Sequence, residues 1–536
     1  MATPCDDAVQ AERSGALWKP LQDSPPVPRR DSTNHLVVRR SQEAVSAQVY
    51  IAFDLGAESG RAVAGIYDGQ RLELKTLHRF PNTPLRLPDA LTWNVLRQYA
   101  EILQGITLTV REFGDAVRSV GVDTWGVDFG LLDARGTLLT NPVHYRDHRT
   151  DGIMESVQSM VGADTIYDAT GIQFMPINTL YQLVAVQQQH PGLLELADRI
   201  LMMPDLFHYW LSGAKVSERT IASTSQMMDA RTGEWAIDLL RHVGLPTHFL
   251  PEIVPPGTRL GKLRKAVAEE TGAANVEVVA PGSHDTASAV AAVPAALGSD
   301  FAYISSGTWS LMGVELSEPL INAHTRTLNF TNEGGVNDTI RFLRNIMGLW
   351  LVQECRRAYA REGQEYTYEQ LTQLAAEAQP FRAVIDPDDR RFLNPPNMLT
   401  AIREYCEATG QPAPQEPGEF VRCCLESLAL RYRWVLEQLE SLMGKRLSVI
   451  HVVGGGTQNR LLCQFTADAC NRPVLAGPVE ATAAGNVMLQ MMAMGELKGI
   501  TEGRELLRRS SEIVEYTPTD TQAWDAAYER FLGLLE

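Results

Sequence analysis

Long apolar runs are missing from this 536-residue chain. No stretch approaches the roughly 20 residues that a helix needs to cross a bilayer, which excludes a helical membrane protein. Cysteine is scarce and scattered, seven residues with no CxxC and no Cys/His spacing of the kind that holds zinc. The expectation is a reducing cytoplasm with the thiols in cores, although Cys406 and Cys423 flank a proline-containing loop and are placed to pair. Basic residues are outnumbered, 48 Lys and Arg against 65 Asp and Glu, for a formal charge of −17. Nucleic acid and anionic membrane surfaces both select clustered Lys and Arg, so neither is an expected partner. An anionic ligand must then be held by local backbone donors. The two common phosphate-loop patterns, GxxxxGK[ST] and GxGxxG after a strand, are also absent. Residues 1–46 lack the apolar segment of a signal peptide; they are polar and proline-rich, carry Asp6, Asp7 and Glu12, and read as a disordered tail.

What remains is ordinary for a globular protein, 44% hydrophobic and 21% charged, with length for roughly three or four domains of about 150 residues. An internal repeat argues for two. Ile51 to Arg61 reads IAFDLGAESGR, and Phe301 to Trp309 reads FAYISSGTW. In each, a short apolar strand enters a tight Gly/Ser turn and a second apolar strand follows, Ala62 to Ile66 or Leu311 to Leu316. Such a turn leaves backbone N–H groups and hydroxyls pointing into one concavity, where an anion can sit. The turns lie about 250 residues apart, too far for a solenoid repeat, so they indicate a duplicated fold gripping one polyphosphate between its halves. Asp54, at the end of the first strand, adds a carboxylate able to hold the metal that neutralises that phosphate.

The order of elements supports a mixed α/β fold. Tyr50–Asp54, Ala62–Tyr67 and Arg71–Phe80 read as a meander whose second turn is Asp68-Gly69. An amphipathic helix capped by Thr92 and running to about Glu112 carries Val95, Leu96, Tyr99, Ile102, Leu103 and Ile106 at helical spacing. A strand, Ser119–Asp123, follows. After a region of loops and short helices, a strand at Val276–Ala280 leads into a helix opened by Asp285. From about Asp300 the second half has its own meander, helices near Asn345–Arg361 and Gly418–Met443, and a strand, Leu447–Val453, ending in three glycines. These boundaries imply a tail at 1–46, one domain at 47–298, a second at 299–520, and a terminal helix or tail at 521–536.

Several residues can carry chemistry. Arg61, just past the first turn, is placed to reach a phosphate, to brace the loop, or to be an exposed strand residue. Asp285, in GSHDTASAV, suits a helix N-cap, where the macrodipole favours the ionised carboxylate and keeps it ready to accept a proton. His284 beside it reads first as a hydrogen-bonded structural histidine, and Thr286 as a first-turn residue. In GVDTWGVDFG, Trp125 and Gly126 offer a sugar ring an apolar plane and a close backbone approach, unless the indole belongs to the core. Gly454 to Gly456, before Thr457, Gln458 and Asn459, let a flat ligand lie on bare backbone or make a turn needing positive φ.

The segments DLGAESGR, GVDTWGVDFG, NPVHYRDHRTDG, GIQFMPINTLYQL, PGSHDTASAV, SSGTWSLMG, TNEGGVNDTIRFLRNIMGLWLVQE, HVVGGGTQN and AGPVEATAAGN, in this order, resemble the FGGY family of carbohydrate kinases over about residues 48–520. The resemblance implies two duplicated actin/hexokinase/ribonuclease H-like domains with the active site in the cleft between them. It also implies transfer of the ATP γ-phosphoryl group to the 1-hydroxyl of L-rhamnulose, with Mg²⁺. Carried over by position, ATP contacts fall on Ala57, Glu58, Ser59, Gly60 and Arg61, on Thr308 of the second turn, and on Gln353 and Gly455. Sugar contacts fall on Gly126, His284, Asp285, Thr286 and Asn345, with Asp285 as base. The implied partners are the sugar and ATP, the chain acting as a monomer or homodimer in the cytoplasm. Pairing of Cys406 with Cys423 has a parallel in the same subgroup. Glu58 departs from the pattern: a small hydroxyl residue is more usual there, and a carboxylate puts negative charge near phosphate unless it turns away. Kinases for other ketoses or deoxysugars, such as fuculose or xylulose, are the alternatives. A non-catalytic sugar-binding regulator is another, but no helix-turn-helix pattern precedes Tyr50.

Overall fold

Residues 47–295 and 299–535 are described by the computed structural model, so the tail expected at residues 1–46 lies outside them. In β1 (Gln48–Leu55), Ile51 and Phe53 enter one apolar layer while Tyr50 and Ala52 enter another. A strand between two layers is buried on both faces because its side chains alternate. β2 (Ser59–Tyr67) and β3 (Leu72–Pro81) continue it as an antiparallel meander. α1 (Val95–Phe113) packs on this sheet through Ile102 and Ile106. It does not start at Thr92, which ends a short strand; Asn94 is the cap, its side chain accepting from the Arg97 amide. Leu96, expected on the buried face, is exposed, since it lies about 100° round the helix from buried Val95. β4 (Val117–Thr124) runs parallel to β1 and sets Asp123 beside Asp54. With β5 (Thr258–Lys262) and β6 (Glu277–Ala280) the sheet order is β5-β6-β4-β1-β2-β3, and α2 (Asp285–Ala291) follows β6.

The second sheet repeats the plan. β7 (Phe301–Ser306) and β8 (Trp309–Leu316) form the hairpin, and β9 (Thr331–Gly334) and β10 (Ile340–Met347) extend it antiparallel. α3 (Trp350–Arg361) follows β10, not Asn345, which sits on the strand opposite Leu311. The amides of Leu349 and Trp350 donate to the carbonyls of Gly307 and Thr308, and this ties the helix start to the second turn. α4 (Pro417–Met443) presents Phe420, Cys424, Leu428, Tyr432, Val435 and Leu439 to the core, as its spacing predicts. β11 (Val449–Val453) and β12 (Val474–Ala476) run parallel to β7, as β4 and β6 do to β1.

α5 (Ala481–Ala493) leads to β13 (Val514–Tyr516), which completes the order β9-β10-β8-β7-β11-β12-β13. α6 (Gln522–Leu532) is part of the second core, where it buries Trp524, Tyr528 and Phe531. Cys406 and Cys423 are neighbours and stand as free, buried thiols, as expected of cysteines in cores, without the bond that their sequence positions left open.

Helices α2 and α5 cross so closely that a Cβ on Gly485 would lie 1.8 Å from the carbonyl oxygen of Ser288. α5 then reaches the first sheet. Asn486 Nδ2 donates to Asp123 Oδ2 at 2.6 Å, and Gln490 Nε2 donates to the Ile51 carbonyl at 2.9 Å. A helix from the second half thus supplies the polar partners beneath the first. Among the described residues no helix is long and apolar enough to cross a membrane.

Candidate active site

Both Gly/Ser turns open on one cleft of about 1290 Å³, walled by residues of the two sheets. Ala57, Glu58, Ser59 and Arg61 of the first turn line it, as does Thr308 of the second. Gly60 does not: it is buried against Phe80, where a Cβ would come 2.3 Å from the ring. Gln353 lines the cleft beside Thr308, its Nε2 3.4 Å from the Thr308 hydroxyl. The three glycines after β11 divide the roles offered by their sequence. Gly454 adopts φ 88°, and Gly455 has nothing within 4 Å of an added Cβ, leaving bare backbone open to the cleft.

Arg61 braces rather than lies free. Its Nε and Nη2 each reach Asp54 Oδ2 at 3.0 Å, and its Nη1 pairs with Glu480 of the second half at 2.5 Å. Glu58 pairs with Arg357 on α3, so the carboxylate that is out of place in a phosphate turn has its own cation.

Asp54 lies beside Asp123, which is fully buried, and Asp123 Oδ1 has no hydrogen-bond partner among the described residues. Burial, reinforced by the nearby Asp54 charge, pushes the Asp123 carboxyl well up. An orphaned carboxylate oxygen next to a second carboxylate fits a hard cation. Mg²⁺ in particular needs only one or two protein carboxylates when phosphate and water fill the rest of its shell. No group of three or more His, Cys, Asp or Glu suited to a metal occurs among the described residues, so the fit is to a cation shared with phosphate.

Asp285 occupies the first position of α2, and the cap position belongs to His284. Its Oδ1 accepts from the Thr286 amide at 2.5 Å and from the Thr286 hydroxyl at 3.1 Å, and faces His284 Nε2 at 3.4 Å. Burial raises its carboxyl above the usual range; His284 opposes the rise and the Asp54 charge adds to it. The loop before it is held from below. Glu218 Oε2 accepts from the Ser283 amide at 3.0 Å, and the Thr220 hydroxyl accepts from the His284 amide at 3.1 Å. A carboxylate of raised proton affinity, opening on a cleft, can accept a proton from a hydroxyl.

Trp125 belongs to the core and also borders the cleft. It is nearly buried, with its ring centroid 4.0 Å from that of Trp93, yet it lines the cleft next to Gly126. Its indole N–H donates to Asp128 at 3.0 Å and that of Trp93 donates at 2.6 Å. Burial still pushes the Asp128 carboxyl up to about 6 against those donors. Asn345, although on a strand, reaches the cleft and is held by Gln173 of the first half, whose Oε1 accepts from the Asn345 amide at 2.9 Å. Sequence reasoning missed Gln173, Glu333, Arg341 and Glu480. The one local signal was Arg341, a charge between Ile340 and Phe342 in an apolar strand.

The family model described as FGGY family of carbohydrate kinases, N-terminal domain, matches residues 49–292, and its C-terminal domain counterpart matches residues 302–494. The chain belongs to the FGGY family of carbohydrate kinases. Rhamnulokinase from Bacteroides thetaiotaomicron is 47% identical to it over 484 residues, covering 90% of this chain and 99% of that protein. Rhamnulokinase from Halalkalibacterium halodurans is 43% identical over 472 residues, covering 88% and 99%. Gluconate kinase from Lactobacillus acidophilus superposes with a TM-score of 0.74 at 15% identity, over 91% of this chain and 98% of that one, a likeness of fold. In this FGGY kinase the first matched segment carries the strands of the first sheet, the second carries those of the second sheet apart from β13, and the cleft runs between the two sheets.

Proposed function

We propose that this carbohydrate kinase transfers the γ-phosphoryl group of ATP to the 1-hydroxyl of L-rhamnulose. The observation that carries the reading is 47% identity to a rhamnulokinase over nearly the full length of both chains. A cleft lined by both Gly/Ser turns, with the partly buried Asp285 carboxylate facing it, supports the chemistry. Residues 47–298 form the sugar-side domain and 299–520 the nucleotide-side domain of a cytoplasmic enzyme, monomeric or homodimeric.

Phosphoryl transfer asks little covalent chemistry of a protein; alignment and charge stabilisation supply most of the effect. Asp285 takes the proton of the attacking hydroxyl. Ala57, Glu58 and Ser59 offer backbone donors to the phosphates, with Thr308 opposite, and Arg61 holds Asp54 in place. Gln353 and Gly455 receive the nucleotide, while Gly126, His284, Thr286 and Asn345 orient the sugar. Asp54 and Asp123 would hold Mg²⁺, which would supply charge neutralisation to the phosphate. Closure of the two halves excludes water and limits ATP hydrolysis.

The experiment is ADP release with L-rhamnulose, L-fuculose and D-xylulose under matched conditions. L-Rhamnulose is expected to have the highest kcat/KM by a wide margin, because a site hydrogen-bonded to each hydroxyl rejects the wrong epimer. A higher value for another ketose overturns the substrate, and no ADP release with any of them overturns the kinase reading.

A further inference from the structure

One buried guanidinium in the second half reaches the base of the first. Arg341, on β10, is completely buried and lies 3.1 Å from Glu333 Oε2 on β9. Its Nε donates to the Gly334 carbonyl at 2.9 Å, which fixes the plane of the group. Its Nη2 lies 3.1 Å from Nδ1 of His284. Arginine has only donors. Nδ1 must therefore accept, and a neutral ring that accepts at Nδ1 carries its proton on Nε2. Nε2 is the atom that faces Asp285 Oδ1 at 3.4 Å. Glu333 also approaches Nδ1, but at 3.4 Å it is farther than the arginine. The groups facing the ring are thus Asp285 from α2, Glu333 from β9 and Arg341 from β10, with Glu218 beneath the loop at Ser283.

This arrangement has a consequence at Asp285. Oδ1 already accepts from the amide and hydroxyl of Thr286, and the imidazole Nε2 lies 3.4 Å from the same oxygen. Oδ2 has no protein donor among the described residues, while the side chain lines the cleft. We propose that Arg341, pinned by Glu333, is a positioning residue for phosphoryl transfer: it holds His284 as the neutral Nε2–H tautomer, which occupies Oδ1 of Asp285 and leaves Oδ2 as the atom that takes the sugar proton. Because Arg341 and Glu333 belong to the second half and His284 to the first, the base is fully oriented only with both halves in place. The inference rests on Asp285 being the base.

The test reads tautomer and turnover separately. In the intact protein labelled with 15N-histidine, the His284 signals are identified by their loss in His284→Gln. They are expected at the shifts of a neutral ring protonated on Nε2; a proton on Nδ1 overturns the proposal. Arg341→Met and Glu333→Gln are expected to lower kcat about tenfold to a hundredfold, the scale of a misplaced catalytic group, with the KM for ATP unchanged. Arg341→Lys keeps a donor and is expected to recover part of the loss. A wild-type kcat in Arg341→Met, or equal losses in the Lys and Met variants, overturns the proposal. If Arg341→Met does not fold, Glu333→Gln and the wild-type spectrum decide. Asp285→Asn run alongside separates the readings: near-normal turnover there removes the base and this inference together, whereas an inactive Asp285→Asn beside an undisturbed Arg341→Met removes this inference alone.

Discussion

Glu58 of the first turn and Arg357 of α3, 299 residues apart in sequence, form an ion pair that joins the two halves at the edge of the cleft. The same guanidinium also holds Glu354 on its own helix. A carboxylate that would repel phosphate is thereby kept neutralised by a cation from the opposite wall.

Arg357→Ala releases Glu58 as an unpaired charge beside the phosphate turn. The KM for ATP is expected to rise a few-fold, with stability changed by no more than about 1 kcal/mol because both side chains are partly exposed. Adding Glu58→Ala is expected to restore the KM. A double-mutant cycle measures this, and strictly additive effects on KM would show that the pair has no bearing on ATP.

Asp285→Asn is expected to lower kcat by about 10²- to 10⁴-fold, the range for loss of a general base, while ATP binding measured by calorimetry is retained. The sign of the pH dependence follows from the raised carboxyl. A base must be ionised, so kcat falls as pH drops through its pKa, and the acid limb is expected above the pH ~3.9 of an ordinary aspartate. Turnover near wild type in the asparagine variant removes the assignment.

Gly485→Ala puts a methyl group where the Ser288 carbonyl oxygen lies 1.8 Å away. Backbone cannot retract as a flexible side chain can, so α2 and α5 must separate. A loss of about 1–3 kcal/mol in urea unfolding is expected, the scale of an overpacked core, together with lower kcat because α2 begins at Asp285. Unchanged stability would show that the helices do not meet as described.

Asp128 predicts a pH effect on stability distinct from catalysis. Its folded carboxyl stands at about 6, above the 3.8 of an ordinary aspartate, so the folded state binds the proton more tightly than the unfolded one. Its contribution is therefore complete below pH ~4, declines as pH rises to about 6, and is constant beyond. The stability of the wild type relative to Asp128→Asn is expected to fall across that window by on the order of 2–3 kcal/mol. Thermal unfolding of both proteins from pH 4 to 8 measures it; parallel curves would place the carboxyl in its ordinary range.

The meander, the second hairpin and the face of α4 were legible because each is written in residues close together: alternation in Ile51 to Leu55, a Gly/Ser turn, a run of apolar residues at helical spacing. The start of α3 was not, since its first amides bond to Gly307 and Thr308, far upstream. Thr92 lost the cap of α1 to Asn94 because the preceding residues pair as a short strand, a choice made outside the helix itself. Most of the site residues proved to face one cleft, with Gly60 buried behind it. What no pattern reported was the set of partners behind them.

By itself, the sequence determined a duplicated α/β chain with two Gly/Ser turns, a carboxylate at the end of the first strand and another at the start of a helix. These follow from φ requirements, side-chain alternation and helical spacing, all properties of short segments. Only the tertiary structure decided that Glu58 is neutralised by Arg357, that Arg61 spans Asp54 and Glu480, and that Arg341 reaches His284. Apart from that of Arg61 with Asp54, each of these contacts joins a charge on one half to a partner on the other. Long side chains choose among many partners at similar energy, and folding brings one of them within a few ångströms.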